Sequence, residues 1–155
     1  MTSARHSAGL LLFRHTADGL EVLLGHMGGP YFARKDAGAW TVPKGEYDPG
    51  ERPWEAARRE FREELGVAPP DGEPIDLGEV RQRGGKVVTA WAVEADLDPA
   101  TVVPGTFTME WPPRSGRLAQ FPELDRVAWH GIDRARELVV TAQTAFLDRL
   151  AEHSA

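Results

Sequence analysis

The sequence predicts an α/β protein in which a mixed β-sheet is sandwiched between helices. Three observations point there: apolar runs of strand length bounded by turn residues, one amphipathic helix in the first half, and a second near the C-terminus. The chain has 155 residues, 41% hydrophobic and 27% charged. That is the profile of one soluble domain, here spanning residues 1–155. At this length roughly 70% of the unfolded surface can be buried, so the core needs no staples. There are no cysteines, which excludes a disulfide framework, a thiolate nucleophile and a sulfur-ligated zinc site, and fits a cytoplasmic protein. Eighteen Lys and Arg against 24 Asp and Glu leave a net charge of −6 with no basic block. Neither a nucleic-acid duplex nor an anionic membrane is therefore an expected partner. The apolar stretch Ala8 to Phe13 falls far short of the roughly 18 residues of a spanning helix.

Leu10 to Phe13 is a continuous apolar run and Leu20 to Met27 a largely apolar one, and Thr16-Ala17-Asp18-Gly19 between them supplies turn chemistry, so they predict two adjacent strands. Gly28 to Gly38, with Arg34, Lys35 and Asp36, predicts a surface loop leading into a short strand over Ala39 to Val42. Pro53 suits a first helical turn; Trp54, Ala57, Phe61 and Leu65 then recur as one apolar stripe, and Gly66 stops the helix. After the Pro69 to Gly72 linker come two strand-like segments, Ile75 to Arg83 and Lys86 to Ala95, and Gly84-Gly85 between them signals a hairpin. Asp96 to Arg117 shows little periodicity and predicts a long irregular excursion, a kind of loop that is usually functional. Val127 to Trp129 predicts a last short strand, and Leu138, Ala142, Ala145, Phe146 and Leu150 predict the second helix.

Chemistry concentrates on the first helix. At about 100° per residue Glu60 and Glu64 lie one turn apart on nearly the same face, with Glu63 beside them, so neighbouring Cβ atoms stand about 5–6 Å apart. Three ionised carboxylates that close repel one another unless a cation intervenes, and an oxygen-only ligand set favours a hard divalent ion such as Mg²⁺, with Mn²⁺ as a substitute. The same pattern also describes a solvated acidic face balanced by Arg58, Arg59 and Arg62.

Upstream residues separate these two readings. Gly45 to Val67 reads G-x5-E-x7-R-E-U-x-E-E-x-G-U, where U is bulky and apolar, across 23 residues. This stretch resembles the signature box of the Nudix hydrolases, and Trp40 to Lys44 before it is similar to what many members carry there. The resemblance implies an α/β/α sandwich with a central mixed β-sheet and a loop-helix-loop metal site that hydrolyses a diphosphate linked to another moiety. It implies Glu60, Glu63 and Glu64 as metal ligands, with the backbone carbonyl of Gly45 as a further one. Arg59 is then expected to orient a glutamate, and Glu51 to support the loop and the arginine electrostatically or to reach a metal through water. Two positions depart from the family pattern. Phe61 stands where a branched aliphatic is commoner, which alters packing and leaves the chemistry alone. Arg52 stands where a helix-capping Ser, Thr or Asp is usual, which costs about 1 kcal/mol of helix stability. Neither removes a ligand.

Attack of water on a polyanionic diphosphate needs a general base, worth typically 10²–10⁴-fold. In the family this base comes from the box, as Glu63 or Glu64, or from a later loop. Glu123 is the later candidate, since Glu123 to Trp129 resembles the E-x5-W segment of members that cleave dinucleoside polyphosphates; Glu110 is second. Lys44, Arg34 and Lys86 are candidate phosphate ligands, with Lys35 on a plausible wall. Trp40, Trp91 and Trp111 are candidates for stacking on a base or for the core. The window Gln82 to Gly85 carries neither the Pro that marks ADP-ribose cleavage nor the Tyr that marks dinucleoside polyphosphates. The isoprenoid-diphosphate isomerases of this fold are a poorer match, because they use a cysteine. The expected protein is thus a Mg²⁺-dependent pyrophosphohydrolase of nucleoside triphosphates or dinucleoside polyphosphates, as monomer or homodimer. The rival expectation is a nucleotide sensor of the same fold that binds without cleaving.

Overall fold

The computed structural model describes residues 5–154. The first apolar runs become β1 (His6–Thr16) and β2 (Gly19–Met27), paired antiparallel with Phe13 opposite Val22 and Thr16 opposite Gly19. The central strand β1 also pairs in parallel with β6 (Val87–Glu94), from His6 opposite Val87 to Phe13 opposite Glu94. This pair is the parallel element of an otherwise antiparallel seven-stranded sheet, and it makes the sheet mixed. β6 is joined to β5 (Ile75–Arg81) through the Gly84-Gly85 turn, where both glycines take positive φ. At the other edge, β2 pairs with β3 (Trp40–Thr41) and β9 (Leu124–Gly131).

Alternation along β1 divides the core into two layers. Leu10 and Leu12 pack with Phe61 and Leu65 of α1 (Pro53–Leu65). Leu11 and Phe13 pack with Leu138 of α2 (Ile132–Leu138) and with Phe146, Leu147 and Leu150 of α3 (Thr144–Ser154). Helices therefore cover both faces of the sheet, the α/β/α arrangement. Among the described residues no helix is long and apolar enough to cross a membrane.

α1 begins with Pro53 in its first turn and ends on Gly66, whose φ of 68° lets its N–H donate to the carbonyl of Arg62 at 2.8 Å. Arg52 at the N-cap makes no side-chain capping bond. Phe61 is fully buried, so its larger ring is absorbed by the core.

The expected irregular excursion over Asp96 to Arg117 is corrected in part. It contains β7 (Thr106–Glu110), which forms a separate two-stranded ribbon with β8 (Leu118–Pro122). Phe107 lies opposite Phe121 there, a five-residue alternation too short to stand out between prolines. The last strand is longer than Val127 to Trp129 because exposed Asp125 and Arg126 interrupt its apolar run while its backbone stays paired with β2. The single expected C-terminal helix is two helices: Val139 is extended and the Val140 N–H donates to the Trp40 carbonyl, ending α2 at Leu138. The three residues Lys44–Glu46 form β4, a strand that the Gly and charged side chains conceal.

Candidate active site

β4 and β2 share one edge of β1. β4 takes its N-terminal half, with Ser7 opposite Glu46 and Gly9 opposite Lys44, and β2 takes its C-terminal half. Where the two part, a cavity of about 330 Å³ opens, lined by Ser7, Thr41, Lys44, Gly45, Glu46, Glu60, Glu64, Lys86 and Glu123 together with Met27 and Leu124. A smaller adjoining cavity of about 170 Å³ is lined by Glu60, Glu63, Glu64, Gly105, Thr106 and Glu123.

Three chain segments bring the acids together. Glu60 lies on the inner face of α1 beside buried Ala57 and Phe61. Glu64, one turn on, accepts a bond from the Lys44 backbone N–H at 3.1 Å, which ties the helix to β4. Glu123 is the single residue between β8 and β9; its N–H donates to the Gly105 carbonyl at 2.7 Å and its carbonyl accepts from the Gly28 N–H at 3.0 Å. Backbone bonds on both sides thus hold Glu123 at the mouth.

Arg59 organises the outer side. Its guanidinium donates to both oxygens of Glu51 at 2.7 and 2.9 Å, to Glu60 at 2.8 Å and to Glu63 at 3.0 Å. Glu63 is consequently turned outward, with its side chain 56% exposed. Among the described residues no three acidic or histidine side chains, as they stand, converge closely enough to hold a metal ion. Glu60 and Glu64 share the larger cavity, whereas Glu63 borders only the smaller one.

Burial dominates the electrostatics of the cavity's charged groups. Burial, assisted by Glu60 and Glu123, pushes the Glu64 carboxyl up to about 8 against the opposing pull of Lys44. Burial also raises Glu60, more than Arg59 lowers it. Lys44 is held below the ordinary lysine range, first by burial and then by Lys86. Hard oxygen donors whose ionised forms are disfavoured by burial fit a divalent cation such as Mg²⁺.

The NUDIX domain model matches residues 4–150. The chain belongs to the Nudix family. The asymmetrical bis(5'-nucleosyl)-tetraphosphatase of Caenorhabditis elegans is 41% identical over 61 residues, 39% of this chain and 40% of that protein. The RNA pyrophosphohydrolase of Erythrobacter litoralis is 56% identical over 34 residues, 22% of this chain and 21% of that one. The matched regions thus span well under half of either curated relative. Among solved structures, a C. elegans Ap4A hydrolase binary complex superposes with a TM-score of 0.68 at 22% identity, covering 96% of this chain and 97% of that one. The NUDIX domain of Shewanella oneidensis NrtR with ADP ribose gives a TM-score of 0.65 at 15% identity, covering 100% and 91%. At these identities the superpositions show the fold.

Not every expected residue of this Nudix chain reaches the cavity. Arg34 is exposed on the loop after β2 and lines neither cavity. Lys35 directs its ammonium over the Phe32 ring at 5.7 Å. Glu110 accepts from the Arg114 N–H at 2.8 Å, also outside both linings. Trp40 is buried and donates to Asp36 at 2.8 Å, and Trp91 packs edge-on against Trp54, so both serve the core. Trp111 stands edge-on to exposed Tyr31 at 5.3 Å, away from the acids.

Sequence reasoning missed Ser7, Thr41 and Glu46 on the cavity wall, because nothing marks a lone Ser, Thr or Glu at a strand end. It also missed His26, wholly buried in β2. The His26 Nε2–H donates to the Lys35 carbonyl at 2.6 Å, and Nδ1 lies 2.8 Å from Asp125, two residues past Glu123. Only the pairing of β2 with β9 reveals that contact.

Proposed function

We propose that this Nudix protein is a Mg²⁺-dependent pyrophosphohydrolase that cleaves the diphosphate bond of a nucleoside diphosphate linked to a further group, with nucleoside triphosphates and dinucleoside polyphosphates as the substrate class. The observation that carries this reading is the meeting of Glu60, Glu64 and Glu123 with Lys44 and Lys86 in one cavity. The names of the worm and Erythrobacter relatives support it, and so does the Ap4A hydrolase fold.

In this reading Glu60, Glu63 and Glu64 would hold the metal, with the Gly45 carbonyl as a further ligand. Bound at these oxygens, Mg²⁺ supplies charge neutralisation of the phosphate and a lowered pKa for bound water. Arg59 keeps Glu60 and Glu63 oriented through its fork, which is itself braced by Glu51. Glu123 takes the proton of the attacking water at its carboxylate. Lys44 and Lys86, which line the same cavity, hold phosphate oxygens.

Incubation of the protein with a nucleotide panel in H₂¹⁸O, with and without Mg²⁺, tests the proposal. The expected result is metal-dependent release of a nucleoside phosphate carrying ¹⁸O on one product. Absence of release from every member of the panel overturns it.

A further inference from the structure

Ser7 lies near the start of β1, opposite Glu46 of β4 on one side and Val88 of β6 on the other. Paired residues share a face of the sheet, so Ser7, Lys44 and Glu46 project on the same side, and Lys86 stands immediately before β6. All four line the larger cavity. Gly9, opposite Lys44, has no side chain to fill the space, and a Cβ there would stand 3.0 Å from the Lys44 Cβ.

The hydrogen-bonding groups on this wall are mostly committed. Both Glu46 oxygens accept from Arg5 at 2.8 Å. The Thr41 hydroxyl donates to the Val42 carbonyl and accepts from Gln143. Ser7 differs. Its side chain is buried, at 1% exposure, and among the described residues its Oγ has no hydrogen-bond partner. A buried hydroxyl without a partner is unfavourable and marks a place where something else completes the bond. Among the described residues, neither the Lys44 nor the Lys86 ammonium lies within 4.0 Å of a carboxylate.

A partnerless hydroxyl lining the same cavity as two lysines that have no carboxylate within 4.0 Å calls for an anion with several acceptor oxygens. We propose that Ser7 is a substrate-positioning residue whose Oγ–H donates to a non-reacting phosphate group seated between Lys44 and Lys86. The assignment rests on the hydrolase reading for its substrate, but the seat itself has a test that needs no turnover.

Calorimetry with inorganic pyrophosphate in EDTA, on wild type and on Ser7→Ala, reads the seat directly. The expected result is binding by wild type that weakens about tenfold in Ser7→Ala, roughly the value of one hydrogen bond to a charged group. Lys86→Gln, on the partly exposed rim, weakens it likewise. In steady-state assays with the best nucleotide of the panel, Ser7→Ala raises KM about tenfold and leaves kcat within about twofold, the mark of binding lost equally from ground and transition states. Its thermal midpoint does not fall, because no internal bond is removed. Pyrophosphate binding and KM equal to wild type in Ser7→Ala overturn the seat, as does failure of wild type to bind pyrophosphate. If wild type binds pyrophosphate and Ser7→Ala does not, yet no nucleotide is cleaved, the seat stands and the hydrolase reading falls.

Discussion

The space that a Cβ on Gly45 would need is occupied by the carboxylate of Glu60. β4 and α1 approach so closely here that only a glycine lets the strand keep its pairing with Ala8 while the acid keeps its place. Gly45→Ala therefore pushes Glu60 aside, and a displacement of about 1 Å at a reacting centre costs on the order of 10²-fold in rate. We expect that loss in Mg²⁺-supported turnover, with a smaller Mg²⁺-induced rise in the melting temperature and an unchanged far-ultraviolet circular dichroism spectrum. Wild-type turnover in this variant removes the Gly45–Glu60 packing from the function.

Glu64 makes the metal-free protein sensitive to pH. Its carboxyl is raised from an ordinary 4.5 to about 8, so between those values the folded chain holds a proton that the unfolded chain releases. Stability then falls as pH rises through this window, and the favourable contribution is fully present only below it. In EDTA, wild type should lose melting temperature from pH 5 to pH 8, and Glu64→Gln, which has no charge to bury, should lose less. Because a metal competes with that proton, the Mg²⁺-induced stabilisation of wild type should be larger at pH 8.5 than at pH 6. A flat profile in both proteins contradicts this account.

Glu123 and Glu110 are separated by geometry. Glu123 borders both cavities, while Glu110 caps the turn of the ribbon by accepting from Arg114. Glu123→Gln should lower kcat by about 10²–10⁴-fold with little change in KM, the range for loss of a general base. Glu110→Gln should stay near wild type. Equal effects in the two variants, measured by initial rates, refute the assignment.

Arg59 ties Glu51, Glu60 and Glu63 with four bonds between 2.7 and 3.0 Å. A lysine carries the charge without the planar fork, so Arg59→Lys keeps the sign and loses the geometry. The expected cost is about 10–100-fold in metal affinity, as for other residues that orient ligands. Titration of turnover against Mg²⁺ concentration measures it, and an unshifted midpoint counts against the role.

The acidic helix was readable from local spacing, since i, i+3 and i+4 geometry and a Gly stop are properties of one segment. Phe61 shows the same locality: its place in the apolar stripe foretold its burial. Residues whose role depends on pairing far along the chain were hidden. Ser7 becomes a cavity residue only because β4 lies beside it, and His26 meets Asp125 only because β9 returns to β2. β7 escaped for a related reason: its apolar side chains face β8 across a separate ribbon rather than the main core. Arg34 sits on a loop next to the site in sequence yet is exposed and lines neither cavity, a placement that local spacing does not encode.

Glu123 is the single residue between β8 of the two-stranded ribbon and β9 of the seven-stranded sheet, while the ribbon's turn over residues 111–117 lies at its other end. The ribbon's far turn can therefore be lengthened, shortened or exchanged over evolutionary time while α1 and its acids stay untouched.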